Sequence, residues 1–225
     1  GNFVSAYNWE DGTGPRGQRP IRRDLAWHST ETNEVGIDDF YRWSKKTGTE
    51  IMLAVNMGTR GLKAALDELE YVNGAPGTAW ADQRVANGIE EPMDIKMWCI
   101  GNEVPDQWNG DRGPKLSRFL QDICHREDPT RPVTQGMDAP DAVVNNNMAA
   151  VMDVAGFNYR PHKYRTNYKK LPQQIILGSE TASTVSSRGV YKLPVARRSM
   201  QKYPDHQASS YDVEHCGWSN LPEDD

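Results

Sequence analysis

Short apolar runs alternate with amphipathic helical patterns along this chain. Six runs read as strands, at 2–7, 51–57, 95–100, 133–137, 152–157 and 174–179. Three stretches between them carry helical spacing. The first, 37–46, follows Gly36 and holds Phe40, Tyr41 and Trp43. The second, 62–72, places Leu62, Leu66, Leu69 and Val72 along one face. The third, 115–126, is the clearest, with Leu116, Phe119, Leu120, Ile123 and Cys124 on one stripe. Pro114 opens it, and Asp128, Pro129 and Pro132 close it.

Strand–helix alternation of this kind argues for βα units and a parallel sheet. The fold class expected is α/β, of (β/α)8 TIM-barrel type, lacking the first and eighth strands, because six strands are legible where a closed barrel has eight. Residues 1–225 then form a single barrel domain or barrel segment. The polar stretch 209–225 offers no strand. Three long connections, 8–27, 74–92 and 160–171, are rich in turn residues, and long loops in compact domains are usually functional or disordered.

Two of the strands end alike, in Gly101-Asn102-Glu103 and in Gly178-Ser179-Glu180. The C-terminal ends of barrel strands form the reactive face. Two glutamates presented there are what retaining cleavage of a glycosidic bond requires. Spacing alone leaves a solvated or salt-bridged role open for each of them.

Composition narrows the classes. The chain has 225 residues, a net charge of −5 and no basic block, which argues against nucleic acid. Mean hydropathy is −0.77, and no apolar run reaches membrane-spanning length. Seven tryptophans and nine tyrosines suit a sugar cleft, with core packing as the alternative. Cys99, Cys124 and Cys216 are scattered and odd in number, and no signal peptide precedes Gly1. Together these favour a cytoplasmic, reducing compartment. His28 and Glu31 lack the further ligands of a metal site, so no metal and no cofactor are expected.

The first part of the chain resembles the α-L-arabinofuranosidases of glycoside hydrolase family 51. The residues that carry the likeness run from Gly1 to Asp11, Asp24 to Glu34, Met52 to Thr59 and Lys96 to Cys99. From residue 100 onward the chain is similar to family 2 glycosidases of the β-galactosidase type. There the carrying residues are Gly101 to Trp108, His125 to Val133, Gly156 to Pro161 and Gly178 to Ser183. The resemblance implies two parts, 1–99 and 100–225, joined as in a recombined or designed chimera within one clan of retaining enzymes. It implies Glu103 as acid/base and Glu180 as nucleophile. It also implies substrate-binding roles for Asn2, Asn102, Tyr159, Trp27 and Trp108, with Tyr159 bonding the nucleophile. The expected reaction is removal of a terminal sugar, an α-L-arabinofuranoside or a β-D-galactoside, by double displacement. The rival expectations are a catalytically inactive barrel that self-associates through open sheet edges, and a carbohydrate-binding module.

Overall fold

The computed structural model describes residues 6–24, 28–160 and 163–180. The described strands and helices, in chain order, are β1 (Arg22–Arg23), β2 (Thr30–Glu31), α1 (Ile37–Thr47), β3 (Met52–Ala54), α2 (Gly61–Asn73), α3 (Ala79–Ala86), β4 (Met97–Asn102), α4 (Gly113–Glu127), β5 (Val133–Met137), α5 (Pro140–Asn145), β6 (Val154–Asn158), α6 (Tyr164–Tyr168) and β7 (Ile176–Glu180). Five parallel strands lie in one sheet in the order β3-β4-β5-β6-β7. Sequential order with helical crossovers is the topology of a β/α barrel segment. The strand expected at 2–7 falls largely outside the described residues, and Ala6 and Tyr7 are not in a strand.

Two compact units divide the chain. The first holds the residues to Asn102 together with 120–134. Its core gathers Val55, Tyr71, Val72, Ile95 and Trp98 around Trp9. Trp9 opens the long connection 8–27, and its ring meets Tyr71 at 5.2 Å and Trp80 edge-on at 4.9 Å. Its indole N–H donates to the Ala64 carbonyl at 3.1 Å, so the polar end is satisfied as well as the apolar body. Arg19 fastens the same connection by donating to Asp39 at 2.6 Å and to the carbonyls of Gly14 and Asn33. Burial alone would raise the Asp39 carboxyl, but Arg19, Arg16 and the Gly36 N–H hold it down at about 2.

α1 begins where Gly36 meets the backbone of Gly12. A Cβ at Gly36 would lie 1.9 Å from the Gly12 carbonyl oxygen, so only glycine fits. Asp38 and Asp39 in its first turn and Lys45 and Lys46 in its last complement the helix dipole. Gly48, at φ 68°, ends it in the left-handed region.

The second unit holds 103–119 and the residues from 135 onward. Every residue of β6 is buried, as in an interior strand covered on both faces. Phe157 is fully buried and packs on Tyr164, whose hydroxyl donates to the Phe157 carbonyl at 3.1 Å.

The apolar stripe expected on α4 needs correction. Phe119 is 60% exposed, whereas Ser117 and Gln121 are buried. Ser117 can be buried because its hydroxyl donates to Gln135 on β5 at 2.9 Å. Among the described residues no helix is long and apolar enough to cross a membrane.

Candidate active site

Both glutamates belong to the second unit. Glu103 immediately follows β4, and its N–H donates to the Gly136 carbonyl at 2.9 Å. Its φ is 50°, and Tyr159 and Arg160, just after β6, stand at 56° and 52°. Such left-handed conformations cost a non-glycine residue on the order of 1–3 kcal/mol and cluster at functional sites. Glu180 is the last residue of β7.

A bulge sets the aim of Glu180. β6 and β7 pair in register through Phe157 opposite Gly178, and then Asn158 stands opposite Glu180. Ser179 is the extra residue. An inserted residue at a sheet end turns the next side chain, which is how bulges re-aim groups beside active sites.

Four hydrogen bonds join the strand ends. The Asn158 amide donates from Nδ2 to Glu103 Oε1 at 2.9 Å. The Ser179 hydroxyl donates to Asn158 Oδ1 at 2.7 Å. The Tyr159 hydroxyl donates to Glu180 Oε2 at 2.5 Å, and the Tyr159 N–H meets the Glu180 carbonyl at the same distance. Tyr159 and Glu103 also perturb each other: Tyr159 lowers the Glu103 carboxyl, and Glu103 raises the Tyr159 phenol.

Burial raises the Glu103 carboxyl, the Asn158 hydrogen bond opposes this, the Asp138 and Glu180 charges raise it further, and Tyr159 lowers it; the net direction is up. Burial first, and then the bond to Glu180, raises the Tyr159 phenol. Asp138 is itself held by the Gln107 amide, and the Arg160 guanidinium donates to its backbone carbonyl.

The other expected residues are placed unevenly. Asn102 is the last residue of β4, half-buried, next to Glu103 in the chain. Trp108 ends the 3-10 turn Pro105–Trp108 and is 68% exposed, so its ring is open to solvent. Asn2 and Trp27 lie outside the described residues. Trp98 belongs to the core and donates to Asp128 at 3.0 Å. Asn158 and Ser179 carry no assigned role in the sequence reading. Their one signal there is position, beside Tyr159 and Glu180 at the ends of apolar runs.

The comparisons bear on most of the chain. The family model described as Alpha-L-arabinofuranosidase 1 domain matches residues 1–175. An intracellular exo-alpha-(1->5)-L-arabinofuranosidase of Bifidobacterium longum is 88% identical over 108 residues, which are 48% of this chain and 19% of that protein. An exo-alpha-(1->6)-L-arabinofuranosidase of the same organism is 59% identical over 109 residues, 48% of this chain and 21% of that protein. The match therefore spans about a fifth of the length of these relatives. Among solved structures, a family 51 alpha-L-arabinofuranosidase of Bifidobacterium longum superposes with a TM-score of 0.60 at 55% identity, covering 74% of this chain and 36% of that one. The alpha-L-arabinofuranosidase of Thermotoga maritima, solved as an arabinose complex, gives 0.64 at 30% identity, covering 77% and 42%.

The matched span runs through residues 99 and 100, so the change of family expected there is corrected. Family 2 structures reach a TM-score of only 0.45, too distant to carry an argument. Neither a β-galactosidase part nor a chimeric or designed origin is supported. The misreading has a physical source. A small polar residue and then glutamate at a strand end is what the chemistry needs, so that local pattern does not separate families that share a mechanism.

Proposed function

The chain belongs to the Alpha-L-arabinofuranosidase 1 domain family, and from that premise we propose that it carries the Glu103–Glu180 pair of a retaining glycosidase acting on terminal α-L-arabinofuranosides. The observation that carries this reading is the strand-end network in which Tyr159 donates to Glu180 and Asn158 donates to Glu103, a carboxyl raised by burial and by the facing Glu180 charge. Surroundings that push two carboxyls apart in proton affinity separate their roles. Glu103 keeps a proton to give, and Glu180 stays ionised to attack.

In the first step Glu180 bonds to the anomeric carbon as the bond to the leaving oxygen breaks, and Glu103 passes its proton to that oxygen. Forming the glycosyl ester removes the negative charge from Glu180, so Glu103 holds its next proton less tightly. It then takes a proton from water, which attacks the same carbon and frees Glu180. The Asn102 amide is proposed to donate to a sugar hydroxyl beside the reacting carbon, and Trp108 to offer its face to a sugar ring. Asn2 and Trp27 are proposed for the substrate-binding roles their resemblance implies.

The test is hydrolysis of para-nitrophenyl α-L-arabinofuranoside by the chain. Turnover that falls at least about a thousandfold in both Glu103→Gln and Glu180→Gln supports the proposal. Equal turnover in the parent and either variant would refute it. A second reading, a non-catalytic barrel segment that self-associates, is favoured by β3 and β7 each having one strand neighbour among the described residues. A mass that rises with concentration in sedimentation, with no hydrolysis, would select that reading.

A further inference from the structure

The bulge residue Ser179 has no place in the double displacement, yet its side chain is committed. Its hydroxyl donates to Asn158 Oδ1 at 2.7 Å, and Asn158 Nδ2 donates to Glu103 Oε1 at 2.9 Å. Asn158 is fully buried, so both ends of its amide need partners. Ser179 supports one order of donors. With the serine proton on Oδ1, the amide turns its N–H towards the carboxyl, and a flip would set Oδ1 against a carboxylate, which only accepts. The inserted position of Ser179 is what brings it across to Asn158, since the regular register puts Phe157 opposite Gly178.

We propose that Ser179 and Asn158 form a two-link arm that positions the acid/base. Ser179 orients the amide, and the amide holds Oε1 of Glu103, so the catalytic proton is carried on Oε2. Both act through Glu103 and neither touches the reacting atoms. The arm has an energetic sign as well as a direction. An N–H aimed at a carboxyl favours its ionised form. It therefore works against burial and against the facing charges of Glu180 and Asp138, in the same direction as Tyr159. Glu103 must give a proton in one step and take one in the next. A carboxyl raised by its surroundings and restrained by the arm can do both.

This inference rests on reading Glu103 as the acid/base, and its test uses no turnover, so the two can fail separately. Carbon-13 labelled protein is titrated, and the Glu103 carboxyl resonance, assigned by its loss in Glu103→Gln, is followed against pH. Ser179→Ala should raise the midpoint, and Asn158→Ala should raise it further, by about one pH unit. Ser179→Thr, which keeps the hydroxyl, should return it to the parent value. In the Asn158→Ala background Ser179→Ala should add nothing, because its path is gone. An unmoved midpoint in Ser179→Ala overturns the proposal even if Asn158→Ala does not fold. A Ser179→Ala shift of equal size in both backgrounds overturns the two-link order.

Discussion

Glu68 places a carboxyl where the fold resists charge. It lies on α2 with 5% of its surface exposed. Burial is the main cause of its shift, and the neighbouring Glu10 carboxylate adds to it. Arg60 offsets only part, because it is already committed to Glu10 at 2.7 and 3.1 Å and to Asn8. The result is a carboxyl pushed from 4.5 up to about 8. Between those values the folded chain keeps a proton that the unfolded chain has released. The native state then binds more protons, so stability is complete below the unfolded value and falls as pH rises towards about 8. Each unit is worth about 1.4 kcal/mol, so the loss reaches about 3 kcal/mol at neutral pH and at most about 5 kcal/mol above the folded value. Glu68→Gln keeps the shape and removes the titration. Urea unfolding of parent and variant at about pH 5, 7 and 9 should give a stability gap that opens with pH, in the variant's favour. A gap that stays constant, or a parent that gains on the variant as pH rises, would refute the reasoning.

Arg84 carries a second structural prediction. It is fully buried and donates to the carbonyls of Tyr71, Gly74, Ile89 and Glu90. Arg84→Met should cost on the order of 3 kcal/mol in chemical unfolding, because four carbonyls, two of them in buried bonds, lose their donor together. At the candidate site, Tyr159→Phe should lower kcat by about ten- to a hundredfold with KM little changed. Steady-state kinetics on the para-nitrophenyl arabinoside would check this, and an unchanged kcat would remove the Tyr159 hydroxyl from the account.

Periodicity made the long elements legible. The helices expected at 37–46, 62–72 and 115–126 are α1, α2 and α4, each extended by a turn or less. Strand β5 coincides with its apolar run, and β4, β6 and β7 fall within two residues of theirs. The helix α3 was hidden inside the turn-rich connection 74–92, and for a physical reason. It is short, and its anchorage is the Arg84 guanidinium reaching carbonyls on both sides of it, a tertiary contact with no local period. α6 was likewise absorbed into 160–171 and is pinned by Tyr164 against Phe157. Phe119 and Ser117 show the limit of a stripe argument, since the hydroxyl is buried by its bond to Gln135 while the ring faces solvent.

The two glutamates stood out because strand-end position and residue type coincide with a known chemical need, whereas Tyr159 entered only through the family resemblance. Asn158 and Ser179 were not, because a bulge leaves no mark in the pattern of apolar and polar residues. The hydrogen bond from Ser179 to Asn158 exists only once Phe157 and Gly178 are in register and Ser179 is not. The apparent change of family at residue 100 came from the same cause in reverse, a local motif read without the span of the whole match.

The division of labour between the two carboxyls is the centre of this account, and one trapping measurement addresses it. Glu103→Gln protein is mixed with a dinitrophenyl α-L-arabinofuranoside, whose leaving group departs without acid help, and is quenched for peptide mass spectrometry. The first step then proceeds and the second, lacking its base, stalls. The account predicts one arabinosyl group esterified to the peptide that contains Glu180, with none on Glu180→Gln protein. An adduct on any other residue, or anomeric inversion of the released sugar in the parent protein, would contradict it.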